Sequence, residues 1–231
     1  MNKLKLAVVL LLSMMISVSL FAQEDEQTIE ELYLQSQIKV KIIKAEAESV
    51  DRDMKKIAIQ DIENMIEDGE IAEDDREMIS ILSSLGSEGI SNQVIEQGSV
   101  INNYPLVRMD AVRLLGEVGG EIARESIISI LLTDNEPTVL AEAIVALSKV
   151  GVDENGVVEA VLADAMRSQT ALVKDNNLAN AYIIAVGNLA DADSIQDYSV
   201  VEELTKIYIH TNGYDKRVRL KAFELLKTLK E

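Results

Sequence analysis

Few side chains in this chain are of a kind that does catalytic or metal chemistry. The sequence contains one histidine, His210, and no cysteine. The usual catalytic constellations and zinc sites need several such groups together, and one histidine cannot supply them. His210 follows Tyr208 and Ile209 near the end of a predicted helix, where an imidazole can favour the helix C-terminus. We therefore predict no catalytic residue, no cofactor and a protein that is not an enzyme.

Carboxylates crowd residues 61–77, and hard oxygen ligands at such density can hold calcium. The run consists of Asp61, Glu63, Glu67, Asp68, Glu70, Glu73, Asp74, Asp75 and Glu77, with Arg76 as its single base. It contains no Asp-x-Asp-x-Asn-Gly loop, and Asp191-Ala192-Asp193 lacks the third acid and the glycine of an EF-hand loop. We interpret residues 61–77 as a solvated connector and predict no metal ligand; cation binding there is the alternative.

The net charge restricts the partners of the protein. With 22 basic and 40 acidic residues, the chain has a formal net charge of −18. Such an excess repels phosphate backbones and anionic lipid, so we predict no nucleic-acid partner. The C-terminal helix has the opposite bias, because Lys216, Arg217, Arg219, Lys221, Lys227 and Lys230 outnumber Asp215, Glu224 and Glu231. We interpret this helix as a solvated terminal cap, with a docking surface for an acidic partner as the alternative.

The first 22 residues have the pattern of a secretory signal peptide. Lys3 and Lys5 precede an uncharged apolar run over residues 6–22, and the small Ala22 is a suitable residue to precede cleavage. We predict a periplasmic or secreted protein that retains no membrane span after removal of the signal. An uncleaved N-terminal anchor is the alternative, because the run approaches the ~18 residues that can cross a bilayer.

The two prolines of the chain indicate a repeat. Pro105 and Pro137 each lie in the pattern Asn-x-Pro-x-Val, 32 residues apart. Proline is tolerated in the first turn of a helix, where its missing N–H would be unpaired anyway. Both prolines therefore mark the start of the same helix in successive units, and a fixed period of this size is typical of a repeat array.

One apolar stripe with a 3.6-residue period recurs in four predicted helices. Its members are Val107, Ala111, Leu114, Leu115 and Val118, then Val139, Ala143, Ala146, Leu147 and Val150, then Leu178, Tyr182, Ala185, Val186 and Leu189, then Val218, Ala222, Leu225, Leu226 and Leu229. A second apolar helix is predicted after each of the first three, around 127–132, 157–165 and 200–208. Stacking such helix–turn–helix units buries the stripe of each against its neighbour.

Glycines recur at equivalent positions in the same predicted helices. Gly116 and Gly187 occupy the same place after the apolar pair of their stripes. Gly119 and Gly151 are predicted to end the first two helices, which is the usual C-terminal role of glycine.

The segment Val107–Gly119 resembles the first helix of a HEAT repeat of the short, phycobilisome-lyase-like kind. That family has Val-Arg, then Ala three residues later, then Leu-Gly and a closing Gly, and Asp134 stands where it has an acidic turn residue. Val218-Arg219 with Ala222 is similar, whereas Leu140 and Ala179 replace the arginine in the middle units. The resemblance implies a right-handed solenoid, and it implies no pigment chemistry.

We therefore predict an all-α chain, a right-handed α-solenoid of stacked HEAT-like repeats with about 10–11 helices. Its parts are a signal peptide (1–22), an irregular helical N-terminal cap (23–73) and a repeat array (74–231), with units at about 74–103, 104–135, 136–174 and 175–213 and a terminal helix at 214–231. In the cap, Thr28 and Glu31 fit a capping box, and Gly69 is predicted to close a helix.

The predicted function is a non-enzymatic interaction scaffold or adaptor of the cell envelope, which binds a protein partner on the solenoid surface. The resemblance implies that the second helix of each unit lines the concave face. Polar residues of those helices alternate with the apolar positions and are expected to face solvent; the candidate protein-binding residues are Arg124, Glu159, Asp164, Arg167, Glu202, Glu203 and Lys206. The alternative is a subunit or accessory factor of an envelope enzyme whose catalytic site lies on another chain.

Overall fold

The computed structural model describes residues 28–151, 156–172, 174–192, 195, 197–209 and 213–229, without the side chains of Leu32 and residues 169–172. Within these residues the protein is helical with one short strand pair, so the all-α prediction is confirmed. The predicted signal peptide at residues 1–22, His210 and Asp193 lie outside the described residues. The chain forms two compact units, one up to Ile42 and one from Ile43 onward.

The unit up to Ile42 contains most of helix α1, Ile29–Glu48. The predicted capping box is present at its start. The Thr28 backbone N–H donates to Glu31 Oε2 at 3.0 Å, and the Glu31 N–H donates to Thr28 Oγ1 at 3.2 Å. This reciprocal pair satisfies two donors that the first turn of a helix leaves open, and it fixes where α1 begins.

The unit from Ile43 onward contains the remaining elements. After the end of α1 come α2 (Arg52–Glu67), α3 (Arg76–Gly86), β1 (Ile95–Glu96), β2 (Ser99–Val100), α4 (Pro105–Val118), α5 (Gly120–Thr133), α6 (Pro137–Val150), α7 (Val157–Leu172), α8 (Asn176–Asp191), α9 (Ser199–Tyr208) and α10 (Lys216–Thr228). The described residues thus contain ten helices, in line with the number predicted.

Proline and glycine set the helix boundaries as predicted. Pro105 and Pro137 are the first residues of α4 and α6. These helices end at Gly119 and Gly151, whose φ angles of 76° and 86° lie in the left-handed region that glycine adopts without strain.

The core lies where the repeated stripes meet. Helices α4, α6, α8 and α10 contact one another in chain order, and α5, α7 and α9 pack beside them. The stripe residues of α4, α6 and α8 are buried, apart from Val150 at the end of α6, which is half-buried. Tyr182, the largest of them, donates its hydroxyl to the carbonyl of Val200 at 3.1 Å, and burial raises the pKa of that phenol.

The first predicted unit, residues 74–103, departs from the helix–turn–helix pattern. Helix α3 is followed by an antiparallel hairpin in which Ile95 pairs with Val100 and Glu96 with Ser99. Asn102 holds this hairpin, because its Oδ1 accepts from the Val94 N–H at 2.8 Å and its Nδ2 donates to Glu88 Oε1 at 2.6 Å. In this unit α3 is therefore followed by a hairpin that side-chain hydrogen bonds hold, whereas in the next unit α4 is followed by a second helix, α5.

Candidate functional site

Five of the seven predicted binding residues form one ion-pair cluster between α7 and α9. Glu203 Oε1 accepts from Arg167 Nε at 3.1 Å and from Lys206 Nζ at 2.8 Å. Lys206 also contacts Glu202 Oε1 at 2.9 Å, and Arg167 Nη1 contacts Asp164 Oδ1 at 2.5 Å. The hydrogen bond to Glu203 raises the pKa of both Arg167 and Lys206, and the bond from Lys206 lowers the pKa of Glu202. The cluster therefore neutralises much of its own charge.

Two predicted binding residues do not face solvent, which corrects the sequence-based expectation. Glu159 is 0% and Glu203 2% exposed. The prediction assumed that each second helix buries one stripe, but α7 and α9 also pack against each other, so a second side of each is covered. Arg124 lies on α5 apart from the cluster, with its Nη2 4.0 Å from Glu121 Oε1.

The acidic residues 61–77 are dispersed along the end of α2, the connecting loop and the start of α3. Asp75 caps α3 by accepting from the Met78 N–H at 3.1 Å. Glu63 Oε1 pairs with Arg113 Nη2 at 2.8 Å. Among the residues that the structure describes, no three carboxylate or imidazole side chains are grouped so that they could hold a metal ion.

A buried polar network surrounds Arg108, whose side chain is 2% exposed. Its Nε donates to Asp134 Oδ2 at 2.6 Å, and its Nη1 donates to Asn103 Oδ1 at 2.7 Å and to the Glu88 carbonyl at 3.1 Å. Lys55 Nζ extends the network by pairing with Glu88 Oε2 at 3.0 Å. Because these charged groups are paired inside the protein, we assign the network to the fold rather than to a binding site.

An open groove of about 720 Å³ lies between the end of α8, α9 and α10. We call it the C-terminal groove and define it by Tyr198, Val201, Thr205 and Tyr208 of α9 with Phe223 and Leu226 of α10. The rings of Tyr208 and Phe223 stack with their centroids 5.0 Å apart. Tyr198, Tyr208 and Phe223 are 76%, 42% and 39% exposed. Two stacked rings at one end of α9 and Tyr198 at its other end thus border the groove and meet solvent, and exposed apolar surface of this kind often marks an interaction site.

The groove residues of α10 correspond to buried residues in α4, α6 and α8. Phe223 aligns with Val112, Ile144 and Ile183, and Leu226 aligns with Leu115, Leu147 and Val186; all six of these earlier residues are buried. In α4 the helices α3 and α5 both lie beside Val112, because a methyl group placed on Gly86 of α3 would lie 2.6 Å from Ile130 Cδ1 of α5 and 3.7 Å from Val112 Cγ2. Helix α10 is the last helix that the structure describes, and no described helix covers it in the same way.

Arg219 adds a polar feature on the same side of α10. It aligns with Arg108, and it lies four and seven residues before Phe223 and Leu226, hence on one helix face. The Nε atom of Arg219 is buried and has no hydrogen-bond partner among the described residues. In α4 the corresponding guanidinium is held by Asp134, which directly follows α5. Within the described part of the chain, the face of α10 that carries Phe223 therefore has no covering helix, and Arg219 Nε has no acid bound to it.

Sequence reasoning missed this groove although part of the signal was present. The fourth stripe contained Leu226, and no second helix was predicted after it. The basic bias of α10 was noted. Of these basic residues, Lys227 lines the groove, with its Nζ 5.8 Å from the Phe223 ring centroid, whereas Lys221 donates to Asn180 Oδ1 of α8 at 2.6 Å.

No helix within the described ranges is both long and apolar enough to span a membrane. Comparison with known proteins adds no further assignment, since no family model, no curated protein and no solved structure matches this chain at a significant level.

Proposed function

We propose that the protein is a non-enzymatic scaffold of the cell envelope that binds a polypeptide, and that the partner docks as a helix in the C-terminal groove. The observation that carries this proposal is the exposure of Phe223 and its neighbours at positions that are covered by helices elsewhere in the chain. The proposal includes a right-handed α-solenoid of HEAT-like repeats, which the chain-order contacts of α4, α6, α8 and α10 support.

The shape and chemistry of the groove favour a helix over a small molecule. Tyr198, Val201, Thr205 and Tyr208 follow one another at three- and four-residue steps, so they form one long face of α9. An amphipathic helix with its own three- and four-residue spacing fits such a surface. The segment Lys216–Thr228 has five basic residues and one acid, so the partner helix should carry acidic residues.

The second helices offer a weaker docking surface. The exposed members of their cluster, Asp164, Arg167, Glu202 and Lys206, are already engaged with one another or with Glu203. A partner would have to replace these ion pairs and would gain little, because exposed pairs contribute only about 0–1 kcal/mol in either state.

The test compares three double variants of the full chain. Tyr198→Glu with Tyr208→Glu places charge in the groove; Asp164→Lys with Glu202→Lys reverses the exposed acids of the second helices. Leu106→Glu with Leu132→Glu is the matched control, because these leucines are exposed outside the groove. Each variant is checked by circular dichroism and urea unfolding and is then used to capture proteins from an envelope extract.

The groove variant should lose the proteins that wild type captures, whereas the control should retain them. Loss in the second-helix variant alone would move the binding surface to α7 and α9 and refute the groove as the site.

Export is tested separately. N-terminal sequencing of the accumulated protein should give a sequence that begins at or near Gln23. A full-length product in the cytoplasm would contradict the proposed export.

A further inference from the structure

Helix α1 presents apolar side chains to solvent along most of its length. Ile29, Tyr33, Leu34, Ile38 and Ile42 are each more than half exposed. Leu34, Ile38 and Ile42 recur every four residues on one side of the helix, and we call them the α1 stripe. A helix of about 12–15 residues is only marginally stable in water without packing, and exposed apolar surface adds a further cost. The α1 stripe therefore marks a surface that a partner covers.

The charged residues of segment 29–42 are separated along the helix. The acids Glu30 and Glu31 lie in its first turn, and the bases Lys39 and Lys41 lie near its end. Glu30 and Lys41 are both exposed and are eleven residues apart, which is about three helical turns, so they lie on the same side of the α1 stripe. The stripe thus has an acid beside one end and a base beside the other.

This order of charges distinguishes between the possible partners. Segment 29–42 has two acids and two bases, so an anionic lipid surface or a strongly charged protein would attract one end and repel the other. A helix whose charges run in the opposite order is complementary at both ends, and a second copy of the same segment has that order when it runs antiparallel. A parallel copy would instead place Glu30 beside Glu30 and Lys41 beside Lys41, which is repulsive.

We infer that the α1 stripes of two copies of this chain pack against each other as an antiparallel pair of helices. Leu34 of each copy lies against Ile38 of the other, and Glu30 of each lies beside Lys41 of the other. The contact is isologous and closes at a dimer. Because each copy contributes one short helix, the interface lies below the roughly 1,200 Å² of a standard protein contact, so the dimer should exchange with monomer.

A pair of variants tests whether the α1 stripe is the interface. Leu34→Glu with Ile38→Glu places charge in the stripe. Ile29→Glu with Tyr33→Glu is the matched control, because it adds the same charge at exposed positions of the same helix that point away from Ile38. The full gene is expressed, and each protein is purified in the form that the cell accumulates. Circular dichroism checks the helix content, and sedimentation velocity over a range of concentrations gives the dissociation constant of the dimer.

Wild type and the control should form a dimer as concentration rises, whereas the stripe variant should stay a monomer. Monomeric wild type at every concentration, a monomeric control or a dimeric stripe variant would each overturn the inference.

A charge exchange tests the antiparallel direction. Glu30→Lys should raise the dissociation constant about tenfold, because it turns two attractive contacts between exposed charges into two repulsive ones. Adding Lys41→Glu restores both contacts, so the double variant should dimerise like wild type, whereas a loss of helix caused by the first substitution would persist. An unchanged dissociation constant in Glu30→Lys, or a double variant as weak as the single one, would rule out the antiparallel pair.

The contact uses residues other than those of the C-terminal groove, so the two sites are tested apart. The groove variant, Tyr198→Glu with Tyr208→Glu, should dimerise like wild type. A monomeric groove variant would place the dimer contact in the groove and overturn the α1 pair. A groove variant that dimerises and also retains its captured proteins would refute the proposed function and leave the α1 contact standing.

Discussion

Gly116→Ala should destabilise the protein, although alanine is the better helix former. A methyl group on Gly116 would lie 2.7 Å from Ala146 Cβ and 2.9 Å from Ala146 Cα. Contacts below 3 Å force α4 and α6 apart, and overpacking of this kind costs about 1–3 kcal/mol. The gain in helix propensity offsets about 0.5–1 kcal/mol of that cost. The net loss should be about 1–2 kcal/mol.

Gly187→Ala is the matched control. Gly187 occupies the same place in α8, but among the described residues no heavy atom outside its own stretch of helix lies within 4 Å of the position its methyl group would take. The substitution should therefore stabilise the protein by about 0.5–1 kcal/mol. Because the propensity gain is common to both variants, the difference between them isolates the crowding of α4 against α6, and it should be about 1–3 kcal/mol.

Urea unfolding followed by circular dichroism measures this difference, with the slope of the transition required to stay constant. A Gly116→Ala protein as stable as the Gly187→Ala protein, or more stable, would refute the close approach of the two helices at Ala146.

Three further predictions concern the core and its charges. Arg108→Ala should lower the free energy of unfolding by about 3–5 kcal/mol, since it leaves Asp134 buried without its cation, and urea unfolding measures it; a loss below ~1 kcal/mol would mean that water replaces the pair. Leu115→Asp and Leu147→Asp should each unfold the protein, because both leucines are fully buried and an unpaired buried charge costs several kcal/mol; an unchanged melting temperature in either would contradict the packing. Burial raises the folded-state pKa of Glu142 above its ordinary value of 4.5, so the folded state binds the proton more tightly, and stability should fall as the pH rises from 4.5 through the folded pKa. Glu142→Gln should remove this part of the pH dependence and stabilise the protein above that range, and an unchanged profile in thermal melts would contradict it.

Sequence patterns predicted the helices because their signals are local. The prolines at the starts of α4 and α6, the capping box at Thr28 and the stripe around Leu115 each follow from the conformational or burial preferences of a few neighbouring residues. The burial of Glu203 does not follow from them, because it depends on α7 packing against a second side of α9.

The hairpin and the groove were harder to predict for different reasons. The two residues at the hairpin turn, Gln97 and Gly98, have φ angles of 49° and 82°, which suits a tight two-residue turn, but each strand is only two residues long. The groove exists because no described helix packs over Phe223. Its exposure is recognised only when α10 is compared with α4, α6 and α8, where the corresponding residues are buried. The family resemblance and the binding role of the second-helix residues stay predictions.

The polar network around Arg108 fixes how neighbouring helices are placed in one part of the protein. The corresponding residues on α6 and α8 are Leu140 and Ala179, whose apolar contacts impose no direction, whereas the hydrogen bonds of Arg108 hold α4 and α5 in one register. Local opening should therefore begin at the α9–α10 end and reach the Arg108 region last. Because local stability is expected to be lower at α9 and α10 than around Arg108, the groove helices can adjust to an incoming segment while the region around Arg108 keeps its shape.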